Sequence, residues 1–236
     1  MRFSVEMLPQ PDDLTCGPTC LHAIYRYYGD EQPLETVIRE VNQIPGGGTL
    51  TAILACHALR RGYKATLYSY NLKVFDPTWF HLGRKDIAER LREQAVFKKK
   101  PSIRLATDAY LEFLELGGRL RFEDLTPSLI RRYLNRQVPI LTGCSLTYLY
   151  RSRREFGEAM REDDVRGEPA GHFVVLRGYD RARKIVHVAD PYLMNPIARS
   201  NDYEIHIRRI LCAILLYSFD ANLLILEKQP EAPRKR

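Results

Sequence analysis

A cysteine near the start of the chain has the surroundings of a nucleophile. Cys16 follows an extended, proline-punctuated segment and begins a predicted helix that ends at Gly29. The free N–H groups and the dipole of a first helical turn favour a thiolate, which is the reactive form of the thiol. Gly17 removes a side chain that would crowd an approaching carbonyl. The carboxamide of Gln10 and the backbone N–H of Cys16 can together form an oxyanion hole.

A thiol nucleophile needs a base, and the last third of the chain offers a histidine and an aspartate in suitable places. His172 opens a β-rich run, and Asp190 follows the next predicted strand, 185–188. Residues 179–184 have the composition of a hairpin turn, and adjacent antiparallel strands bring together residues that are distant in sequence. The sequence therefore predicts that Cys16, His172 and Asp190 are assembled in space.

This combination resembles a known family, the papain-like peptidases that cut double-glycine leaders from bacteriocin precursors. The similarity also includes the helix–Gly–strand unit 54–67 and the helix that runs into Pro139 in 131–141. The chain differs from the common pattern in having Thr15 where the family has Asp, a longer segment at 75–118, and none of the transporter segments fused to many relatives. It resembles a stand-alone branch. The motifs that carry the resemblance are Gln10, Cys16-Gly17, Tyr27-Tyr28-Gly29, His172-Phe173-Val174-Val175-Leu176 and Asp190-Pro191.

The resemblance implies an α+β, papain-like fold in which a helical lobe packs on an antiparallel sheet. It implies that Cys16 is the nucleophile, that His172 acts as general base and then acid, that Asp190 orients His172, and that Gln10 donates to the oxyanion. The implied activity is that of a cysteine peptidase, which hydrolyses a peptide or amide bond through a thioester without metal or organic cofactor.

Two other functions use the same scaffold. If an amine enters before water, the thioester makes the protein a transpeptidase or acyltransferase. If the site is inactive, the chain is a peptide-binding module whose basic clusters, 98–100 and 151–154, attract an acidic peptide. The same clusters can draw an acidic substrate to the cleft of an enzyme. They contain no interleaved aromatic residues, so a nucleic-acid partner is not expected.

A zinc site is disfavoured, although the chain has enough thiols and imidazoles for one. Their spacing fits no closed zinc motif, and such a site would consume the nucleophile. The residues in question are Cys16, Cys20, His22, Cys56 and His57.

Helical periodicity dominates the first two thirds of the chain and β-rich runs dominate the last. Thr15 is expected to cap the first helix and Thr49 or Thr51 the third. Residues 151–171 are expected to form an exposed loop. Predicted helices lie at 16–28, 34–42, 51–61, 86–98, 107–116 and 126–136; predicted strands lie at 63–70, 138–141, 173–177, 185–188 and 223–227.

Composition limits the classes of protein to which the chain can belong. The chain has 236 residues, a net charge of +7 and 45% hydrophobic residues, which excludes a disordered or collagen-like protein. No apolar run is long enough to span a bilayer, no export signal is visible, and five cysteines are an odd number for a disulfide framework. We expect a cytoplasmic, papain-like domain over 1–228 with a helical insertion near 75–118, followed by a disordered tail at 229–236.

Overall fold

The computed structural model describes residues 2–41, 43–44, 47–157, 159–217 and 219–228. The predicted disordered tail, 229–236, lies outside these residues. A 3-10 helix occupies Pro77–His81. The α-helices in the described ranges are α1 (Cys16–Tyr27), α2 (Leu34–Glu40), α3 (Thr51–Arg60), α4 (Arg84–Phe97), α5 (Pro101–Glu115), α6 (Pro127–Leu134), α7 (Leu146–Tyr150) and α8 (Ile207–Leu216).

The strands fall into one large sheet and one small hairpin. The described strands are β1 (Tyr63–Ser69), β2 (Arg119–Arg121), β3 (Ile140–Ser145), β4 (Glu155–Phe156), β5 (Arg161–Glu162), β6 (Gly171–Asp180), β7 (Ile185–Ala189), β8 (Asp202–His206) and β9 (Asn222–Lys228). Seven of them form a sheet in the order β2-β1-β9-β3-β6-β7-β8, and β4 pairs with β5. The pairs in the large sheet are antiparallel except β1 with β2, which is parallel. The fold is α+β, as the sequence predicted.

Most predicted elements are confirmed, and the differences have local causes. Helix α5 begins at Pro101 instead of 107, because proline suits the first helical position. Strand β8 and helix α8 were not predicted, although β8 alternates exposed and buried residues. The predicted loop at 151–171 contains the hairpin of β4 and β5.

Helix α1 lies against the centre of the sheet. Its residues from Cys16 to Tyr25 are buried. The thiol of Cys20 donates a hydrogen bond to the carbonyl of Phe173 at 3.3 Å. Helix α1 therefore rests on β6, the strand that carries His172, and its first turn lies at the start of that strand.

The cap of α3 corrects a prediction. Leu50 occupies the cap position and has no side-chain cap bond. The N-terminus of α3 is instead held by Asp220, which accepts hydrogen bonds from the backbone N–H and the hydroxyl of Thr51, both at 2.6 Å. A capping acceptor 169 residues away leaves no local signal in the sequence.

Candidate active site

Cys16 is the first residue of α1 and is 8% exposed. The turn before it is built around Asp12, whose carboxylate accepts from the N–H of Leu14 at 2.8 Å. The predicted cap by Thr15 is wrong, because its hydroxyl donates to the carbonyl of Asp12 at 3.2 Å and makes no cap bond. The thiol of Cys16 faces a cleft of about 780 Å³, whose lining also includes Gln10 and His172.

Gly17 has a role different from the predicted one. A Cβ atom at this position would lie 2.7 Å from a methyl group of Thr49 and 3.2 Å from the ring of Phe173. The missing side chain therefore allows the first turn of α1 to pack closely on β6 and on the segment before α3. The contact holds Cys16 in place, whereas the sequence suggested that Gly17 makes room for a substrate carbonyl.

His172 and Asp190 meet because of the register of β6 and β7. Val175 pairs with Ala189, so Asp190, one residue further, falls opposite Val174. His172 is then a diagonal neighbour of Asp190 on the same face of the sheet. Its Nε2 donates to Asp190 Oδ1 at 2.8 Å, and both side chains are buried.

The carboxylate of Asp190 is fully engaged. Oδ1 also accepts from the backbone N–H of Tyr192 at 2.9 Å. Oδ2 accepts from the hydroxyl groups of Tyr150 at 2.7 Å and Tyr203 at 2.8 Å. A carboxylate with four donors has a fixed orientation, so Asp190 holds the ring of His172 in one orientation with its Nε2–H directed at Oδ1.

The electrostatics of the pair favour charge on both partners. Burial alone would make His172 neutral, but the charge of Asp190 and hydrogen bonds to Asp190 and Cys16 outweigh burial and raise the pKa of His172 to about 10. Burial opposes the ionised form of Asp190 as well, yet His172, Tyr150 and the N–H of Tyr192 lower its pKa. The surroundings of the pair therefore favour a protonated His172 beside an ionised Asp190.

The same ring links Asp190 to Cys16. Nε2 of His172 is occupied by Asp190, and interaction with the thiol of Cys16 contributes to the raised pKa of the ring. Three of the four predicted site residues thus form a continuous chain, Cys16–His172–Asp190. Helix α1 supplies the first member and the β6–β7 hairpin the other two.

Gln10, the fourth predicted residue, lines the same cleft in a different arrangement. Its backbone N–H donates to the carbonyl of Pro191 at 2.9 Å, which ties the N-terminal segment to the residue after Asp190. Its Nε2 donates to the carbonyl of Asp12 at 2.8 Å. Its Oε1 is buried without a hydrogen-bond partner in the described part of the chain. An amide nitrogen has two hydrogens, so one N–H of Gln10 is left for a ligand.

Two residues of this site were missed in the sequence. Tyr203 lies on β8 opposite Val188, which makes it a diagonal neighbour of Asp190. The alternating burial of β8 could have placed it there. Tyr150 ends α7, 40 residues before Asp190, and no local signal connects the two.

Two other histidines, His22 and His57, have structural partners. His57 contacts the hydroxyl of Tyr25 at 2.8 Å, and His22 contacts the carbonyl of Gln32 at 2.9 Å. Over the residues that the structure describes, no three His, Cys, Asp or Glu side chains converge to hold a metal ion.

Both signs of charge line the cleft. Arg151 and Arg153 lie in its wall, as do Asp13, Glu155 and Glu162. Burial raises the pKa of Glu155, and the charges of Asp13 and Glu162 add to that effect. The positive rim predicted from 151–154 is thus accompanied by a cluster of carboxylates.

Comparisons with known proteins show which family this chain resembles. Residues 103–205 match the model of the Peptidase_C39 like family, and this segment contains His172 and Asp190. That segment is thus similar to the C39-like peptidases. The whole chain superposes on a Bacillus anthracis protein described as a C39-like peptidase, with 13% identity, a TM-score of 0.54 and coverage of 97% of this chain and 96% of that one. The chain therefore has the papain-like fold of the C39 peptidases.

Two further solved structures are similar, with lower TM-scores. The peptidase domain of Streptococcus ComA, a bifunctional ABC transporter, gives 13% identity, a TM-score of 0.46 and coverage of 96% and 100%. A double-glycine-motif protease from an AMS/PCAT transporter, in complex with a leader peptide, gives 17% identity, a TM-score of 0.47 and coverage of 97% and 94%. No curated protein matches the chain. No helix in the described ranges could cross a membrane.

Proposed function

We propose that this chain is a cysteine peptidase with Cys16 as nucleophile, His172 as proton carrier and Asp190 as the group that orients His172. The observation that supports the proposal is the position of His172, whose ring binds Asp190 through Nε2 at 2.8 Å and lines the same cleft as Cys16, with which it interacts. The C39-like family match over residues 103–205 supports the same class of enzyme.

The proposed reaction starts from an ion pair. His172, already protonated, stabilises the thiolate of Cys16, which attacks the carbonyl carbon of the scissile bond. The oxyanion receives the backbone N–H of Cys16, which has no acceptor within α1, and the second Nε2–H of Gln10. His172 then gives its proton to the leaving amine, and a thioester on Cys16 remains.

Water completes the cycle. Neutral His172 takes a proton from a water molecule that attacks the thioester, and the carboxylic acid leaves as Cys16 and His172 recover their charges. Asp190 stays ionised throughout, because its four hydrogen bonds favour the carboxylate. If an amine replaces water, the same steps give a transpeptidase or acyltransferase.

We also propose the extent of the domain, the class of substrate and the cellular compartment. Residues 1–228 act as one papain-like domain, with α4 and α5 as the insertion near 75–118. The substrate is a peptide or protein that occupies the 780 Å³ cleft, and cleavage after a double glycine is the specificity to be expected from the resemblance. The five cysteines are unpaired, which is typical of a reducing compartment such as the cytoplasm.

The first experiment tests the nucleophile. Wild type, Cys16→Ala and the control Cys56→Ala are treated with a biotinylated epoxysuccinyl peptide, and labelled cysteines are mapped by mass spectrometry. We expect labelling at Cys16 in wild type and in the control, and its loss in Cys16→Ala while circular dichroism shows an intact fold. Equal labelling of Cys16→Ala at another cysteine would contradict the assignment.

The second experiment tests the reaction and its specificity. The same three proteins are incubated in ¹⁸O-labelled water with peptides from a digested proteome, with and without added glycinamide. Hydrolysis adds one ¹⁸O to each new C-terminus, whereas aminolysis adds glycinamide instead. The residues before the cleaved bond show whether Gly-Gly is required. Complete absence of cleavage and labelling in wild type would favour the peptide-binding module.

A further inference from the structure

Exposed apolar side chains gather at the C-terminal end of α4. Phe97, the last residue of this helix, is 82% exposed, its neighbour Val96 is 61% exposed, and Leu72 of the loop after β1 is 63% exposed. Trp79 and Leu82 line a groove of about 440 Å³ together with Phe97. We call these five residues the α4 face. Exposed clusters of aromatic and aliphatic side chains mark interaction surfaces.

Two hydrogen bonds hold the loop after β1 against α4. Gln94 Nε2 donates to the carbonyl of Val74 at 2.8 Å, and Lys98 Nζ donates to the carbonyl of Lys73 at 2.6 Å. Leu72, one residue before Lys73, is thus carried towards the end of the helix. The α4 face is therefore assembled from two segments that are fixed to each other.

A run of lysines borders the α4 face. Lys98 is the C-cap residue of α4 and Lys100 is the N-cap residue of α5, with Lys99 between them. None of the ion pairs among the described residues involves these three lysines. The connection between α4 and α5 thus presents positive charge directly beside exposed apolar side chains.

The acidic side chains nearby do not cancel this charge. The carboxylate of Asp76 accepts from the N–H and the hydroxyl of Thr78 at 2.9 and 2.7 Å. Glu93, which lines the groove, pairs with Arg90 at 2.9 Å. The lysines outnumber Asp76, so the net charge beside the α4 face is positive.

Local stability does not account for these residues. Lys98 and Lys99 suit the negative end of α4, but Lys100 lies at the positive end of α5, whose first turn has no acidic residue. A cation is unfavourable there. Phe97, largely in water, contributes little to the core. Contact with a surface that is both anionic and apolar would offset both costs.

This combination fits a membrane with anionic lipids better than a second copy of the chain or an acidic peptide. The lysines of two copies would repel each other across a shared interface. An acidic peptide would pair with the lysines but leave Phe97 and Val96 in water. At an anionic bilayer, aromatic and aliphatic side chains enter the boundary between headgroups and acyl chains, while lysines are attracted to the lipid charges.

We propose that the α4 face binds peripherally to a membrane that contains anionic phospholipids. Phe97, Val96 and Leu72 enter the headgroup region, and Lys99 and Lys100 lie against the lipid charges. None of these residues is among the described residues that line the candidate cleft, so binding leaves the walls of the cleft unoccupied. The inference goes beyond the proposed function and does not depend on it, since it makes no use of the catalytic residues.

The chain has a single tryptophan, Trp79, and this residue belongs to the α4 face. The full-length protein is titrated with vesicles of phosphatidylcholine, and with vesicles in which phosphatidylglycerol replaces about a third of that lipid, at low and at high salt. We expect the protein to float with the anionic vesicles and the emission of Trp79 to shift to shorter wavelength. Both effects should weaken at high salt, because salt screens the lysines.

One pair of double variants separates the lysine contacts from net charge. Lys99→Gln with Lys100→Gln should weaken binding to the anionic vesicles about thirtyfold, as expected for two lysines close to an anionic surface. The control, Arg39→Gln with Lys64→Gln, removes the same charge from exposed positions in α2 and β1 and should change the affinity about twofold at most.

A second pair of variants tests the apolar contact. Phe97→Ser should weaken binding about tenfold, because its ring no longer leaves water. Val165→Ser, at an 80% exposed position after β5, is the control and should leave the affinity unchanged. The substituted side chains in both pairs are exposed, so circular dichroism should show the wild-type fold in each variant.

The proposal is overturned by a wild type that binds neither kind of vesicle or binds both equally, and also by equal losses in a variant and its control. Poly-L-glutamate that shifts the emission of Trp79 where anionic vesicles do not would identify an acidic protein as the partner instead. Labelling of Cys16 is measured separately and should be unchanged in the lysine double variant, so failure of the membrane proposal and failure of the peptidase are distinguishable.

Discussion

At the scale of single residues, the charge state of His172 decides the chemistry. An imidazole with an ordinary pKa would act on a neutral thiol as a base. Beside Asp190, the pKa of the ring is instead raised to about 10, which favours the protonated form at neutral pH. In the proposed reaction, a ring that already carries its proton gives the first proton to the leaving amine.

This charge state can be measured directly. In ¹⁵N-histidine NMR spectra, we expect His172 to stay protonated from pH 6 to 9 and to titrate near pH 10. Asp190→Asn removes the charge that offsets burial, so the pKa of His172 should fall below 6.5. His187, whose pKa is lowered mainly by burial, serves as an internal control and should be neutral at pH 8 in both proteins. A neutral His172 at pH 8 in wild type would contradict the ion pair.

The tyrosines around Asp190 support a second prediction. Tyr150 and Tyr203 donate to the same oxygen, so each compensates in part when the other is removed. Each change to Phe should lower the free energy of unfolding by about 1.5–3 kcal/mol, and the double variant should lose at least about 0.5 kcal/mol more than the sum. Urea unfolding measures all three. Tyr28→Phe removes a hydrogen bond to the carbonyl of Leu226, and its loss in free energy of unfolding should simply add to that of Tyr150→Phe or Tyr203→Phe. Additive losses in the Tyr150–Tyr203 pair would show that the two act independently.

At the scale of elements, the first turn of α1 has to fit against β6 closely enough for Cys16 to reach His172. Gly17 makes that fit possible, since a methyl group there would overlap Thr49. The position of the thiol thus depends on the contact between a helix and a strand, and neither element fixes it alone.

Gly17→Ala tests this contact. The added methyl group has no space between Thr49, Leu54 and Phe173, so we expect a loss of about 1–3 kcal/mol in the free energy of unfolding. Because α1 must shift, labelling of Cys16 should slow as well. Gly83→Ala, where the Cβ meets only the end of the Asp86 side chain, should leave labelling unchanged. Wild-type stability and labelling in Gly17→Ala would show that the contact does not position the nucleophile.

At the scale of the whole molecule, a buried polar network joins helices α3 and α5 to strand β9 of the large sheet. Asp220 caps α3 through Thr51 and accepts from Asn222 of β9. Asn222 in turn accepts from Tyr110 of α5 at 3.0 Å. Burial raises the pKa of Asp220 to about 7, although its hydrogen bonds oppose the shift.

The pH dependence of stability follows from that shift. Asp220 has a pKa of about 7 in the folded protein and about 3.8 in the unfolded chain, so the folded state binds its proton more tightly. This stabilisation is complete below pH 3.8 and is lost as pH rises through 7. Between pH 4 and 7.5, the free energy of unfolding of wild type should fall by up to about 4 kcal/mol relative to that of Asp220→Asn. Urea unfolding at each pH measures this difference. A constant difference across this range would contradict the raised pKa.

The sequence by itself determined the parts of this protein whose signals are local or repeat along one element. Cys16 is recognisable because a helix begins there, and His172 and Asp190 because two β-rich runs flank a turn. Hairpin geometry then brings the last two together. These features need only neighbours in the chain, and periodicity reveals which face of each element is buried.

Only the tertiary structure decided which elements face each other. Asp220 reaches Thr51 and Tyr150 reaches Asp190, over sequence separations of 169 and 40 residues. Hydrophobic patterning shows that a face is covered but not what covers it, so the cap of α3 and the bond from Tyr150 to Asp190 leave no trace in a single sequence. They depend on side-chain contacts between packed layers, and these exist only after the chain has folded.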